Sequence, residues 1–294
     1  MSSTPDTITA AIDQLWDYGQ PAETEKRFRD LLATLEPASS SYLELLTQIA
    51  RTQGLQRNFT EAHKTLDEVT AQLATQPVRV RLRYLLERGR TFNSSSQPAE
   101  ARPLFLEAWE AAAAAGEDFY AVDAAHMLGI IEPPAEQLVW NEKALALAEK
   151  SPDPRAQRWQ GSLYNNIGWT YQDLKQDEAA LAIFQKALAW RTAQGQTSEI
   201  RIAKWCVARI LRALNRVEEA LAMQQALQQE FAASGDADGY VHEELGECLL
   251  LLQQPEQAQP HFAAAYALLA QDPWLVANEK PRLERLQTLG KVQI

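Results

Sequence analysis

The sequence predicts an all-α solenoid of antiparallel helix pairs, about seven hairpins closed by a capping helix over 273–289. Three observations predict it. An anchor position recurs at Ile12, Ala50, Gly89, Ala125, Gly168, Ala208 and Gly246, at separations of 38, 39, 36, 43, 40 and 38 residues. Twelve residues after most anchors stands a second small residue: Ala62, Ala101, Ala180, Ala220 and Ala258, with Thr24 in a degraded first copy. Pro21, Pro98, Pro134 and Pro255 fall at equivalent places after the anchors, where a helix can begin without the missing N–H.

The clearest copy justifies the two helices of each pair. Tyr164, Ile167 and Tyr171 surround the small Gly168; after a polar turn near Lys175-Gln176-Asp177 come Ala180, Phe184 and Ala187. Steps of four and three put the last three on one helical face, and the small residues let two helices approach closely. Leu66, Phe105 and Phe262 hold the Phe184 position in other copies, and Phe28 follows Thr24 in the first. Phe59 and Val217 stand where other copies have proline. The fourth copy is degraded, with Ala125, Leu128 and Ala144. Beyond the last hairpin, Pro273–Leu289 reads as one more helix whose polar side, Glu279, Arg282, Glu284 and Arg285, suits a solubilising cap. The chain reads as one solenoid domain over 1–294. Ser151-Pro152-Asp153-Pro154 is the best candidate for a joint, where the anchor spacing stretches most.

Composition narrows the function classes. The 294 residues carry a net charge of −11, which disfavours general nucleic-acid binding. Two cysteines, Cys206 and Cys248, cannot build a disulfide framework or a four-cysteine zinc site and read as buried thiols. The longest apolar run, Phe262–Ala270, is far too short to span a membrane. The N-terminal residues show no signal peptide, so a cytoplasmic location is expected. No dinucleotide fingerprint, phosphate loop or nucleophile elbow is present. His63, His126, His242 and His261 stand in different hairpins or helices with no close pair expected, and the position four residues after His242 is Gly246, not a second zinc ligand. Catalytic residues, metal ligands and cofactors are therefore expected to be none.

This arrangement is similar to the tetratricopeptide repeat, whose usual period is about 34 residues. The resemblance runs from about Thr7 to Ala270. It implies a right-handed superhelix whose first helices line a concave groove. It places in that groove the residue after each anchor (Asp13, Arg51, Arg90, His126, Trp169, Arg209, Glu247), residues three before (Asn165, Trp205, Glu243) and residues four after (Asn93, Gln172, Arg212). Asn166 and Asp123 stand at the groove edge. The repeats that hold chaperone C-termini use a carboxylate clamp; Asn166 matches its asparagine, but Val122, His126, Ile202 and Cys206 stand where the other clamp residues are needed, so that ligand is not implied.

The candidate ligand-binding set is Arg51, Arg90, Asn93, His126, Asn165, Asn166, Trp169, Trp205, Arg209, Arg212, Glu243 and Glu247. Arginine forks suit carboxylates and tryptophan offers apolar area with a polar edge, so the expected partner is a protein or peptide segment, acidic or with a free C-terminal carboxylate. No nucleic-acid or membrane partner is expected. The alternative reading has Arg51, Arg90 and Arg209 pairing with Glu87, Asp123, Asp173 or Glu243 on adjacent helices. The cluster Arg79, Arg81, Arg83, Arg88 and Arg90 divides between two helix faces and cannot serve one ligand. Trp109, Trp140 and Trp190, in second helices, read as packing residues. The function that follows is a non-enzymatic peptide-binding scaffold. The alternatives are a small-molecule or signalling-peptide sensor, and an assembly module that pairs through Cys248–Leu252 and Phe262–Leu269.

Overall fold

The computed structural model describes Ile8, Ile12 and residues 14–291; Asp13 and Thr7 lie outside the described residues. Those residues form helices and no strand. The chain divides into two compact units, Met1–Leu163 and Tyr164–Ile294. In the first, Pro21–Leu32 completes the first hairpin, followed by Ser40–Leu55 with Phe59–Thr70, Val78–Ser94 with Pro98–Ala115, and Asp118–Ile131 with Pro134–Lys150. In the second, Gln160–Asp173, whose first turn belongs to the preceding unit, pairs with Asp177–Gln194. Thr197–Ala213 then pairs with Val217–Ala233, and Gly239–Leu251 with Pro255–Leu269. The prolines expected at second-helix starts open those helices, as do Phe59 and Val217. From the third hairpin on, second helices of 15 to 18 residues carry much of the added repeat length.

Five hairpin turns share one backbone solution. Arg57, Ser96, Lys175, Asn215 and Gln253 take left-handed φ values of 60 to 65°. The next residue then donates its N–H to a carbonyl five residues back, as Gln176 does to Tyr171 at 2.8 Å and Arg216 to Leu211 at 2.9 Å. That closes the first helix and aims the chain into the second. The Asn93–Ser96 stretch is such a turn: the helix runs through Ser94 and Ser96 carries the positive φ.

Inside each hairpin the anchor receives a knob sixteen residues later. A Cβ on Gly89 would meet the Phe105 ring at 2.5 Å, on Gly168 the Phe184 ring at 2.5 Å, and on Gly246 the Phe262 ring at 2.8 Å. Where the anchor is Ala50 the knob is the smaller Leu66; both are fully buried. Two hairpins replace the apolar knob with an amide. Asn141 is fully buried and donates to the carbonyls of Gly129 (3.3 Å) and Gln137 (2.9 Å). Gln224, opposite Ala208, is also fully buried, with neither amide atom hydrogen-bonded.

Two expectations are corrected. The cap is two helices, Pro273–Asn278 and Lys280–Gly290, because Pro281 ends the first stretch and opens the second. Its polar side does not simply face water: Arg282 bonds the Glu243 carboxylate at 2.5 to 3.1 Å and Arg285 pairs with Glu247. Leu275, Leu283 and Leu286 of the cap bury Phe262, Ala265 and Leu269, so this chain itself covers much of the face assigned to self-assembly. The Ser151–Pro154 segment packs on the fourth hairpin: the buried Ser151 hydroxyl donates to Asp118 at 2.6 Å, and Asp153 caps a short turn, Pro154–Gln157. Trp109 and Trp140 meet edge to face at 5.8 Å across neighbouring hairpins. Trp190 is half-buried with the Arg191 guanidinium over its ring. Cys206 and Cys248 are free and buried, and burial pushes both thiols up to about 12. Among the described residues no helix is long and apolar enough to cross a membrane.

Candidate functional site

The first helices of the second, third and fourth hairpins each present one face with residues six before, two before and one after the anchor. Spacings of four and three align such positions. Along the first unit these rows read Glu44, Arg83, Phe119; then Gln48, Glu87, Asp123; then Arg51, Arg90, His126. The anchor-plus-one row matches the sequence-based expectation. Of the other two rows, the sequence reading had Glu87 and Asp123 as ion-pair partners and Arg83 in the basic cluster, but not Glu44, Gln48 or Phe119.

The rows interlock. Arg51 Nη1 lies 3.1 Å from Glu87, whose other oxygen accepts from Arg90 Nη1 at 2.8 Å, and Arg90 also pairs with Asp123. Each cation one after an anchor thus meets an acid two before the next anchor. The second unit repeats the pattern: Arg209 Nη1 lies 3.6 Å from Glu244, and Arg212 bonds the same carboxylate twice, at 2.7 and 2.9 Å. The alternative of internally paired arginines therefore describes Arg51 and Arg90, with the partners it named. For Arg209 the partner is Glu244, not Asp173 or Glu243. Burial opposes the charge of Arg90, but Asp123 and Glu87 outweigh it and raise its pKa. The remaining cluster arginines also face carboxylates: Arg79 with Glu117, Arg81 with Glu107, Arg83 with buried Glu44, and Arg88 with Asp67. Burial raises the Glu44 pKa against the pull of Arg83.

Above this paired floor stand aromatic walls. Trp16 and Tyr18, in the turn of the first hairpin, stack in parallel with centroids 4.5 Å apart. Trp16 Nε1 donates to Gln48 at 3.0 Å, and the Arg51 guanidinium lies 5.6 Å from the Tyr18 centroid. Opposite them, Trp159 lies 4.7 Å from His126, and Arg155 covers Phe119 at 4.7 Å. A cleft of about 480 Å³ runs between Trp16/Tyr18 and Phe119, Arg155, Arg158 and Trp159. It shares its aromatic walls with a cavity of about 370 Å³ over Arg51, Arg83, Arg90 and Glu87. A third, of about 290 Å³, continues past His126, Met127 and Ile130. Arg155 is held by Asp153, while Arg158 lies exposed at the rim with no ion pair among the described residues. Burial lowers the His126 pKa, and Asp123 only partly opposes it.

The other expected residues are placed as follows. Asn93 is half-buried near a helix end and lines none of these three cavities. Asn165 accepts from Trp169 Nε1 at 3.2 Å, and the Asn166 carbonyl accepts from Thr170 at 2.9 Å. Trp169, Trp205 and Tyr240 form a ladder with centroids 6.0 Å apart at each step. Arg209 lies over both indoles, and Trp205 Nε1 donates to the Tyr240 carbonyl at 3.2 Å. These indoles thus join neighbouring repeats. Glu243 and Glu247 are tied to the cap. A cavity of about 240 Å³ in this unit is lined by Trp205, Tyr240, Phe231, Ile202 and Val241 and bordered by Arg201 and Asp238.

The expectation of no close histidine pair is overturned. His242 and His261, on the two helices of the seventh hairpin, bring their Nδ1 atoms to 3.1 Å. Spacing along a single helix does not reveal the pair, since the contact joins a residue four before the anchor to one fifteen after. Trp16, Tyr18 and Trp159 were also missed. Trp16 and Tyr18 sit in the most degraded copy, and Trp159 lies between two copies.

Comparisons agree with this architecture. Residues 161–194 match the tetratricopeptide repeat family. No curated protein matches the chain in sequence. Among solved structures, a signal-transduction ATPase with a tetratricopeptide repeat sensor from Pyrococcus horikoshii aligns over 96% of this chain and 43% of its own, with TM-score 0.73 and 15% identity. The apo form of RapI aligns over 91% and 76%, with TM-score 0.72 and 12% identity. NprR in complex with its cognate peptide NprX aligns over 98% and 84%, with TM-score 0.52 and 15% identity; the apo quorum sensor NprR from B. thuringiensis gives 97%, 81%, 0.63 and 14%. At these identities the likeness concerns the fold. Residues 161–194 are a tetratricopeptide repeat in sequence, and the fold of the described residues is similar to that of tetratricopeptide-like helical solenoids.

Proposed function

We propose that this protein is a non-enzymatic binding scaffold whose first unit takes a peptide segment between Trp16/Tyr18 and Trp159. The observation that carries this reading is the pairing of aromatic walls with a cationic rim. On a chain of net charge −11, the described residues lining the cleft include Arg155, held by Asp153, and Arg158, and no carboxylate. Indole and phenol faces supply apolar area at low entropic cost, which suits a bulky side chain. Arg158, unpaired, would meet a carboxylate on that peptide, either a side chain or a chain end. Arg51 and Arg90 take the paired role in this reading, not the ligand-binding one. Held by Glu87 and Asp123, they fix the spacing of the hairpins and present a neutralised floor. NprR, a structural relative, is known in complex with its cognate peptide, which supports a peptide as the ligand class. The sensor reading uses the same cleft and is favoured by the sensor region of the Pyrococcus horikoshii relative.

The test is selection from a random-peptide display library on the full chain. The expected result is enrichment of sequences with an aromatic or large aliphatic residue near an acidic one, and loss of these clones on protein carrying Trp159→Ala and Arg158→Glu. No enrichment, or equal retention by that variant, contradicts the reading.

A further inference from the structure

The seventh hairpin holds a second feature that the cleft does not use. His242 lies on Gly239–Leu251 and His261 on Pro255–Leu269, both half-buried. Their Nδ1 atoms stand 3.1 Å apart, with ring centroids at 5.3 Å and planes inclined by 38°. Two nitrogens bound to one ion at about 2.0–2.1 Å lie about 3.3 Å apart at a tetrahedral angle and about 2.9 Å apart at a right angle. The observed separation falls between these values. Without an ion, the contact requires one ring to donate and the other to accept. We propose that His242 and His261 form a two-nitrogen site for a borderline transition-metal ion, zinc or copper(II), that clips the two helices of the seventh hairpin together.

Two further observations support it. Imidazole binds metal only when neutral. Burial lowers the pKa of both rings, Asp238 only partly opposing this at His242, and His242 lowering His261 further. The hairpin is braced beneath the rings: Phe262, next to His261, fills the space over Gly246, four residues after His242. Both side chains therefore rise from backbone that is fixed by packing. Among the described residues no group of three or more histidine, cysteine or acidic ligands exists, so the remaining coordination positions fall to water or to a donor from another molecule. The ligand set is all nitrogen, which selects copper(II), nickel or zinc over magnesium or calcium.

The test is calorimetric titration of the untagged, chelator-stripped full chain with zinc chloride, with magnesium chloride as control. The expected result is one zinc ion per chain and no magnesium heat, with copper(II) tighter than zinc. His242→Gln and His261→Gln should each lose the isotherm, while His63→Gln keeps it. Zinc should raise the melting temperature of the wild type and not of either variant, which reads the same site without the heat signal. Gln preserves size and polarity, and circular dichroism confirms the fold. Should either variant unfold, diethylpyrocarbonate labelling of the wild type replaces it, and zinc must protect His242 and His261. No zinc heat in the wild type, an unchanged isotherm in both variants, or undiminished labelling overturns the proposal.

Discussion

Gln224 offers a sharp test of the anchor-and-knob account. It occupies the knob position opposite Ala208, is fully buried, and neither its carbonyl nor its amide nitrogen finds a hydrogen-bond partner. The second hairpin shows what an alanine anchor accommodates: Leu66 opposite Ala50, fully buried. Leucine is close to glutamine in volume, so Gln224→Leu should enter without strain. Burying an amide without a partner costs about 1–3 kcal/mol by protein mutational data. Relief of that cost should stabilise the chain by ~2 kcal/mol. With a urea dependence of about 2 kcal/mol per molar, the midpoint should rise by about 1 M. Urea unfolding followed by circular dichroism reads this directly, with Gln224→Ala as the control that removes the amide but leaves a cavity. A midpoint for Gln224→Leu that is unchanged or lower would refute the reasoning, because the amide would then have a partner that only glutamine can meet.

Further predictions follow from the same geometry. Gly168→Ala should destabilise by about 1–3 kcal/mol in thermal unfolding, since the new methyl meets the Phe184 ring at 2.5 to 2.8 Å, and this exceeds the gain of roughly 1 kcal/mol from helix propensity. Lys175→Gly, at φ 61°, should stabilise by about 0.5–1 kcal/mol in the same assay, by relieving a left-handed side chain. Asp123→Ala should cost about 3–5 kcal/mol in urea unfolding, because it leaves Arg90 buried with half its ion pairing removed. Burial lowers the pKa of His63, His126, His242 and His261 below the ordinary 6.5. The unfolded chain then binds more protons than the folded one near and below that pH, so stability should fall as pH drops from 7 through 6.5. Melting temperatures across that window check this, and His126→Gln should flatten the slope.

The sequence was informative wherever backbone geometry restricts residue choice. Proline at the first helical position, glycine under an aromatic ring and small residues twelve apart have few substitutes, so they marked hairpins and turns correctly. Pairings across hairpins were less legible. Arg51 and Arg90 were legible as inner-face residues, with Glu87 and Asp123 as possible partners on adjacent helices, but the choice between that pairing and a bound ligand depends on side-chain distances across hairpins that the repeat pattern does not carry. Glu243 and Glu247 looked like groove acids because their partners, Arg282 and Arg285, lie in a cap that belongs to no repeat. The aromatic walls were illegible for a similar reason: Trp16, Tyr18 and Trp159 sit where the period breaks down, and only folding brings residues 143 positions apart onto one cleft.

The central claim, that the cleft between Trp16 and Trp159 is the binding site, is most directly tested by calorimetry with one display-selected acidic–aromatic peptide. Truncation of a central aromatic anchor usually costs more than about 1.4 kcal/mol, or tenfold in affinity. Trp159→Ala should therefore weaken binding by about tenfold or more, while Ile202→Ser, an exposed change beside the cavity of the second unit, should leave it unchanged. Unaltered affinity for Trp159→Ala, with loss for Ile202→Ser, would place the peptide elsewhere and contradict the account.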